Sequence, residues 1–223
     1  MPRRKIVESS ASDGGAPMPA ATRRPPLTEP QQRILEAAME VFGTKGYTNG
    51  SLLDVGQKAG LTRQGILHHY PSKEKLLLAM LEYRDDADVA GLDGHHVPSG
   101  RAFFDHLIST TRINTTRPGV LQAYIVLSAD SVTEGHPAQQ FFRDRYAGLR
   151  TMIIDALHEV VPTVGEKQLR DTASSLIGTM DGLQIQWLLD PDVVDMPAAV
   201  EGAITAAIRA LQPGRGYAQP DDA

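Results

Sequence analysis

From Ser51 to Leu76 the chain reads SLLDVGQKAGLTRQGILHHYPSKEKL, and its small polar residues and glycines cut it into short helices. Ser51, Thr62 and Ser72 each stand just ahead of an apolar-periodic run, and a side-chain oxygen there can cap a helix N-terminus. Leu52, Val55 and Ala59 share one face of the first helix, and Ile66 and Tyr70 one side of the second. Between them stands Gly60, the residue type for which a positive φ is cheap. Gly56 lies where the two helices come closest. The stretch from about Ser51 to Tyr70 therefore reads as a helix-turn-helix. The outer face of its second helix offers Thr62, Arg63, Gln64, Gly65, His68 and His69, a row of donors and acceptors without an acidic residue, as suits a surface meeting base edges beside phosphates. Spacing alone leaves open an ordinary helical corner.

Outward from this unit the helical period continues on both sides. Thr28 with Gln31 is a capping-box pair, Pro30 is tolerated in a first turn, and Ile34, Leu35, Ala38, Val41 and Phe42 recur at helical spacing until Gly43 to Gly46. Ser72 begins a fourth helix with Leu76, Leu77, Met80, Leu81 and Tyr83 inward. Beyond the weak loop 91–100, five more helices are expected at about 101–116, 118–133, 137–160, 166–189 and 197–211, divided by Pro- and Gly-containing breaks. The expected fold is all-α with about nine helices. Its parts are a basic disordered arm over 1–27, a helix-turn-helix domain over 28–75, a larger helical domain over 76–212, and a disordered tail over 213–223.

Charge supports this division. The net charge is −5, yet residues 1–83 hold 11 Lys and Arg against 8 Asp and Glu, whereas residues 84–223 hold 11 against 19, so only the first part suits a polyanion. The arm carries Arg3-Arg4-Lys5 and Arg23-Arg24, which are either a solvated tail or a contact to phosphate or the minor groove. The chain has no cysteine, which excludes disulfides and thiolate chemistry. No apolar run reaches bilayer length and the N-terminus lacks a signal-peptide pattern, so no membrane association and a cytoplasmic setting are expected. No enzyme motif is present: there is no phosphate loop, no His-Glu-x-x-His and no nucleophile elbow. No cofactor or metal is expected either. His68 and His69 point about 100° apart on a helix; His95-His96 has only Asp93 as a nearby third ligand, and residues 86–94 lack calcium-loop spacing.

The run from Ser51 to Leu76 closely resembles the signature of the tetracycline-repressor (TetR) family: an acidic-aliphatic-small run, an Ala-Gly turn, a short helix ending in an aromatic, then Ser-Lys-Glu and Leu. The resemblance is strongest over residues 30–80. It implies a homodimeric transcriptional regulator, by the family's habit a repressor, binding a palindromic double-stranded DNA operator and released by a small-molecule effector. Arg63 and Gln64 are then the base readers, since Arg matches guanine and Gln matches adenine in bidentate fashion. Thr62, His69 and Lys73 become phosphate contacts, with Gly65, His68 and Ser51 completing the DNA-facing set. Two residues depart from the family pattern. Gly56 stands where Ala is usual, and Leu67 where a phosphate-binding Tyr is common, which shifts phosphate anchoring toward His69 and Lys73.

In the larger domain, Leu176, Met180, Leu183 and Trp187 form one stripe and Val200, Ile204, Ala207 and Leu211 another, with Ala199, Ala203, Ala206 and Ala210 as a small-residue seam. Such stripes are usually internal core; the resemblance makes these two helices the dimer interface. Phe103, Phe104, Tyr124, Ser128, Phe142, Asp181 and Gln184 are the candidate effector contacts, because a pocket needs apolar walls with a few placed polar groups. They serve equally as plain core. Asp130 and Asp181 point to a cationic or hydrogen-bond-donating ligand. The alternatives to a regulator are a helical adaptor of the same fold that has lost DNA binding and, less favoured, an enzyme.

Overall fold

A computed structural model of the protein describes residues 26–89 and 98–212. The basic clusters of the arm, His95-His96 and the tail from 213 lie outside them. The described residues form nine helices and no strand: α1 Glu29–Asn49, α2 Leu52–Ala59, α3 Arg63–His69, α4 Lys73–Val89, α5 Gly100–Thr115, α6 Pro118–Asp130, α7 Gln139–Val160, α8 Glu166–Leu189 and α9 Met196–Leu211. The expected all-α architecture is thus observed. No described helix is long and apolar enough to cross a membrane.

Local chemistry explains the ends of the first helices. Thr28 accepts from the Gln31 N–H while the Gln31 side chain accepts from the Thr28 N–H, a complete capping box that satisfies two donors the helix leaves unpaired. Ser51 and Asp54 form the same reciprocal pair at α2, Thr62 caps α3 through the Gly65 N–H at 3.1 Å, and Ser72 accepts from the Lys75 N–H at 3.0 Å. The regular run of α1 ends at Gly46 (φ 70°, ψ 170°), as expected, and a further turn beyond that kink carries the helix to Asn49.

Two apolar clusters organise the packing. The first joins Ile34, Leu35, Val41 and Phe42 of α1, Val55 of α2, Ile66 of α3 and Leu76, Leu77, Met80 and Leu81 of α4 to Ala123, Tyr124 and Leu127 of α6 and Phe142 of α7. The second gathers Phe103, Phe104 and Ile108 of α5 with α7, α8 and α9. Tyr146 packs against both. The α1–α6 contact is especially close, for a Cβ added to Gly43 would lie 2.8 Å from the Ala123 Cβ.

The stripes on α8 and α9 pack largely within the chain. Leu176, Met180, Val200, Ile204 and Leu211 are buried inside the chain itself, and Leu183, Trp187 and Ala207 are half-buried against the same cluster. The fully buried members of both stripes are thus core of the chain itself, while Leu183, Trp187 and Ala207 keep part of their surface and Ala206 and Ala210 of the small-residue seam are exposed. The surface those two helices turn outward is a neighbouring one: Gly178, Gly182 and Gly202, where an added Cβ would meet nothing within 4 Å, with Ile185 and Leu189 exposed by 45% and 80%.

Candidate nucleic-acid interface

α2 and α3 meet at a turn set by two glycines. Gly60 takes the left-handed conformation (φ 69°) that ends α2, and the Leu61 N–H donates to the Gly56 carbonyl at 2.8 Å. A Cβ on Gly56 would lie 2.7 Å from the Leu61 carbonyl oxygen. The glycine is therefore explained by close backbone approach, which offsets its cost of about 1 kcal/mol in a helix. Beneath the turn, Val55 and Ile66 are fully buried and lock the two helices together.

The outward face of α3 carries the expected residues. Thr62, Arg63, Gln64 and His68 are exposed, Gly65 and His69 half-buried, and the rings of His68 and His69 meet edge to face at 5.3 Å. Leu67 packs on the first cluster and presents no polar group there. Ser51 is half-buried, with its hydroxyl donating to Asp54 at 2.7 Å and accepting from the Asp54 N–H at 3.1 Å. Its hydroxyl is committed to the cap, so what it offers outward is the amide end of α2.

Lys73 is less exposed than its proposed role suggests. Its Nζ donates to the Thr48 carbonyl at 3.2 Å and lies 4.4 Å from the centre of the Tyr47 ring. Burial lowers its pKa, and nearby Asp54 opposes that shift. A second lysine escaped the sequence reading: Lys45 bonds Asp54 at 2.7 Å and, with Ser51, holds that carboxyl far below the ordinary range. Lys45, Asp54, Lys58 and Glu40 edge an open cleft of about 410 Å³ between α1 and α2, crossed by a second ion pair, Lys58 to Glu40.

The candidate effector residues are only partly brought together. Tyr124 and Phe142 meet at 5.4 Å, Phe142 and Tyr146 at 6.5 Å, and the Tyr146 hydroxyl donates to Asp181 at 2.8 Å. Burial, then neighbouring Tyr124, pushes the Tyr146 hydroxyl far above its usual range, so it stays a proton donor. Burial likewise raises the Asp181 carboxyl, against the Tyr146 bond and the charges of Arg145 and Arg84. Gln184, one turn along α8, is buried with no protein partner for its Oε1. Phe103 and Phe104 pack instead in the second cluster, and the Ser128 hydroxyl donates to the Ile125 carbonyl of its own helix. Asp130 is not in this group; it faces α1. The sequence reading missed Arg84 and Arg145, whose guanidinium carbons lie 4.1 and 5.5 Å from the centre of the Tyr124 ring. Both also bond Asp85, at 3.1 and 2.8 Å.

Comparison with known proteins agrees with this architecture. Residues 34–80 match the family described as bacterial regulatory proteins, tetR family, and residues 116–213 match the C-terminal part of BetI-type transcriptional repressors. The HTH-type transcriptional regulator TtgR of Pseudomonas putida is 26% identical over 202 residues, spanning 82% of this chain and 92% of TtgR. A transcriptional regulator from Rhodococcus sp. Rha1 shares the fold with a TM-score of 0.65 at 21% identity, over 82% of this chain and 96% of that one. A regulator from Saccharomonospora viridis, solved in complex with choline, does so with a TM-score of 0.57 at 22% identity, over 79% and 94%.

Proposed function

We propose that this chain, which belongs to the tetR family of bacterial regulatory proteins, is a ligand-responsive repressor that binds a palindromic DNA operator as a homodimer. It is a transcriptional regulator and not an enzyme. The observation that carries the reading is the outer face of α3: exposed Thr62, Arg63, Gln64 and His68 stand on a short helix whose inner face is locked by Ile66 and whose entry is fixed by the Gly56–Leu61 contact. Such a helix can enter the major groove without rearrangement. Arg63 and Gln64 read bases; Thr62, Gly65, His69, the amide end of α2 at Ser51 and the remaining Nζ hydrogens of Lys73 meet phosphates. Residues 28–75 form the DNA-binding part and 76–212 the regulatory part.

Dimerisation uses the outward face of α8 and α9 at Gly178, Gly182, Ile185, Leu189 and Gly202, where small residues let a partner helix approach and exposed apolar side chains supply area. The effector docks between α6, α7 and α8 against Tyr124, Phe142, Asp181 and Gln184. The buried Gln184 Oε1, which has no donor in the protein, and the Asp181 carboxyl, which accepts from Tyr146, favour a cationic or hydrogen-bond-donating molecule, and the choline held by the S. viridis regulator is of the former kind. The test is selection of duplexes from a random pool, followed by footprinting and release with choline and simple amines. A two-fold symmetric footprint supports the reading, whereas failure to enrich any duplex refutes it.

A further inference from the structure

We infer that Asp130, on the regulatory part of the chain, is a positioning residue for DNA reading: its carboxylate holds the kink in α1 from which α2 and α3 are suspended. The inference rests on the proposed role of α3. A sharp kink needs a cause, and at Gly46 the helical hydrogen-bond ladder is broken by a left-handed residue. The next N–H, that of Tyr47, donates to Asp130 Oδ2 at 3.2 Å across 83 residues of sequence. The same oxygen lies 2.9 Å from where a Cβ on Gly46 would stand, so glycine both permits the kink and admits the carboxylate. Asp130 is the last residue of α6, the helix that touches α1 through Gly43 and Ala123. Beyond it, in the α6–α7 turn, the His136 ring meets the Tyr47 ring edge to face at 5.1 Å.

On its other side the kinked segment is tied to the DNA-reading unit. Lys45 bonds Asp54 of α2, Lys73 at the start of α4 bonds the Thr48 carbonyl, and the Gly50 N–H returns to the Gly46 carbonyl at 3.1 Å. Ser51, the cap of α2, follows directly. The side chains of α1 to α4 share one apolar cluster with Ala123, Tyr124 and Leu127 of α6; the Asp130 bond adds a polar tie between the kink and the end of α6, and with it a fixed bearing of α2 and α3 relative to α6. In a symmetric dimer that bearing sets the distance between the two reading helices, which must match the half-site separation.

The test uses the full chain, a duplex obtained by selection, and versions of it with the centre lengthened or shortened by one base pair. Wild type is expected to discriminate sharply among the three. Asp130→Ala should lose about tenfold on the selected spacing and little on the altered ones, so that discrimination collapses. Asp130→Asn keeps an oxygen able to accept from Tyr47 and should retain most of it. Should Asp130→Ala not fold, Asp130→Leu, which keeps the side chain's size but has no acceptor for the Tyr47 N–H, is read in the same way. Unchanged discrimination in the folded variant, with affinity either intact or lowered equally on all three duplexes, overturns the inference while leaving the DNA reading in place. Failure of wild type to bind any duplex overturns both.

Discussion

Gly56→Ala sets two effects of opposite sign against each other. Alanine is favoured over glycine inside a helix by roughly 0.8–1 kcal/mol. Its Cβ would stand 2.7 Å from the Leu61 carbonyl oxygen, against roughly 3.3 Å for a close carbon–oxygen contact. That oxygen belongs to backbone, and the Leu61 N–H is bonded to Gly56 itself, so relief requires opening the α2–α3 turn. Forced backbone shifts of this kind cost roughly 1–3 kcal/mol. The net expectation is destabilisation by up to about 2 kcal/mol, with a melting temperature lower by about 2–4 °C per kcal/mol, and a weaker grip on the operator. Gly148→Ala is the control: Gly148 is exposed within α7 and an added Cβ there meets nothing within 4 Å, so this change should raise the melting temperature. Thermal melts followed by far-UV circular dichroism compare the two directly. If Gly56→Ala stabilises as much as Gly148→Ala, the turn is slack and the close-approach explanation of Gly56 is wrong.

Arg63→Ala should weaken operator binding by roughly 1–3 kcal/mol and relax preference at one base position, measured by gel shift on single-base variants of the selected duplex. Asp181→Asn should melt above wild type at neutral pH. Burial raises the Asp181 carboxyl in the fold, so ionising it opposes folding; the contribution of its protonated form is full below the unfolded value and lost as pH rises through the folded one. The gap between the two melting curves should therefore close as pH falls into the carboxylate range, and a constant gap would remove burial as the cause. Replacing exposed Ile185 and Leu189 together by Asp should yield monomers in sedimentation without loss of helical signal; a dimer that persists places the interface elsewhere.

Helix ends and the reading face were legible in the sequence because they depend on neighbours a few residues apart. Thr28 with Gln31, Ser51, Thr62 and Ser72 are all caps in the structure, and Gly60 takes the positive φ its place in the turn demanded. The outer face of α3 followed from period alone, since Ile66 and Tyr70 had to point inward. What was not legible depended on long-range packing. The stripes Leu176–Trp187 and Val200–Leu211 announce a buried face but not what buries it, and within this chain α5 and α7 cover much of it. Asp130 looked like a pocket residue because nothing local reveals a bond to residue 47. Nothing local singles out Arg84 and Arg145, which α4, α6 and α7 bring onto Tyr124. Lys73 combined both cases: its position at the start of α4 was plain, its tie to Thr48 was not.

The most direct test of DNA reading by α3 is the salt dependence of binding to a selected duplex, for wild type and for Arg63→Ala with Gln64→Ala. Each phosphate neutralised releases counterions, and log K falls against log salt with a slope of about −0.9 per phosphate. Wild type should bind with a slope steeper than about −4, reflecting contacts from both subunits of a dimer. The double variant should keep most of that slope while losing its preference for the selected sequence over random duplex. A wild-type slope near zero, or a double variant that still prefers the selected sequence, would contradict the assignment of α3 as the DNA-reading helix.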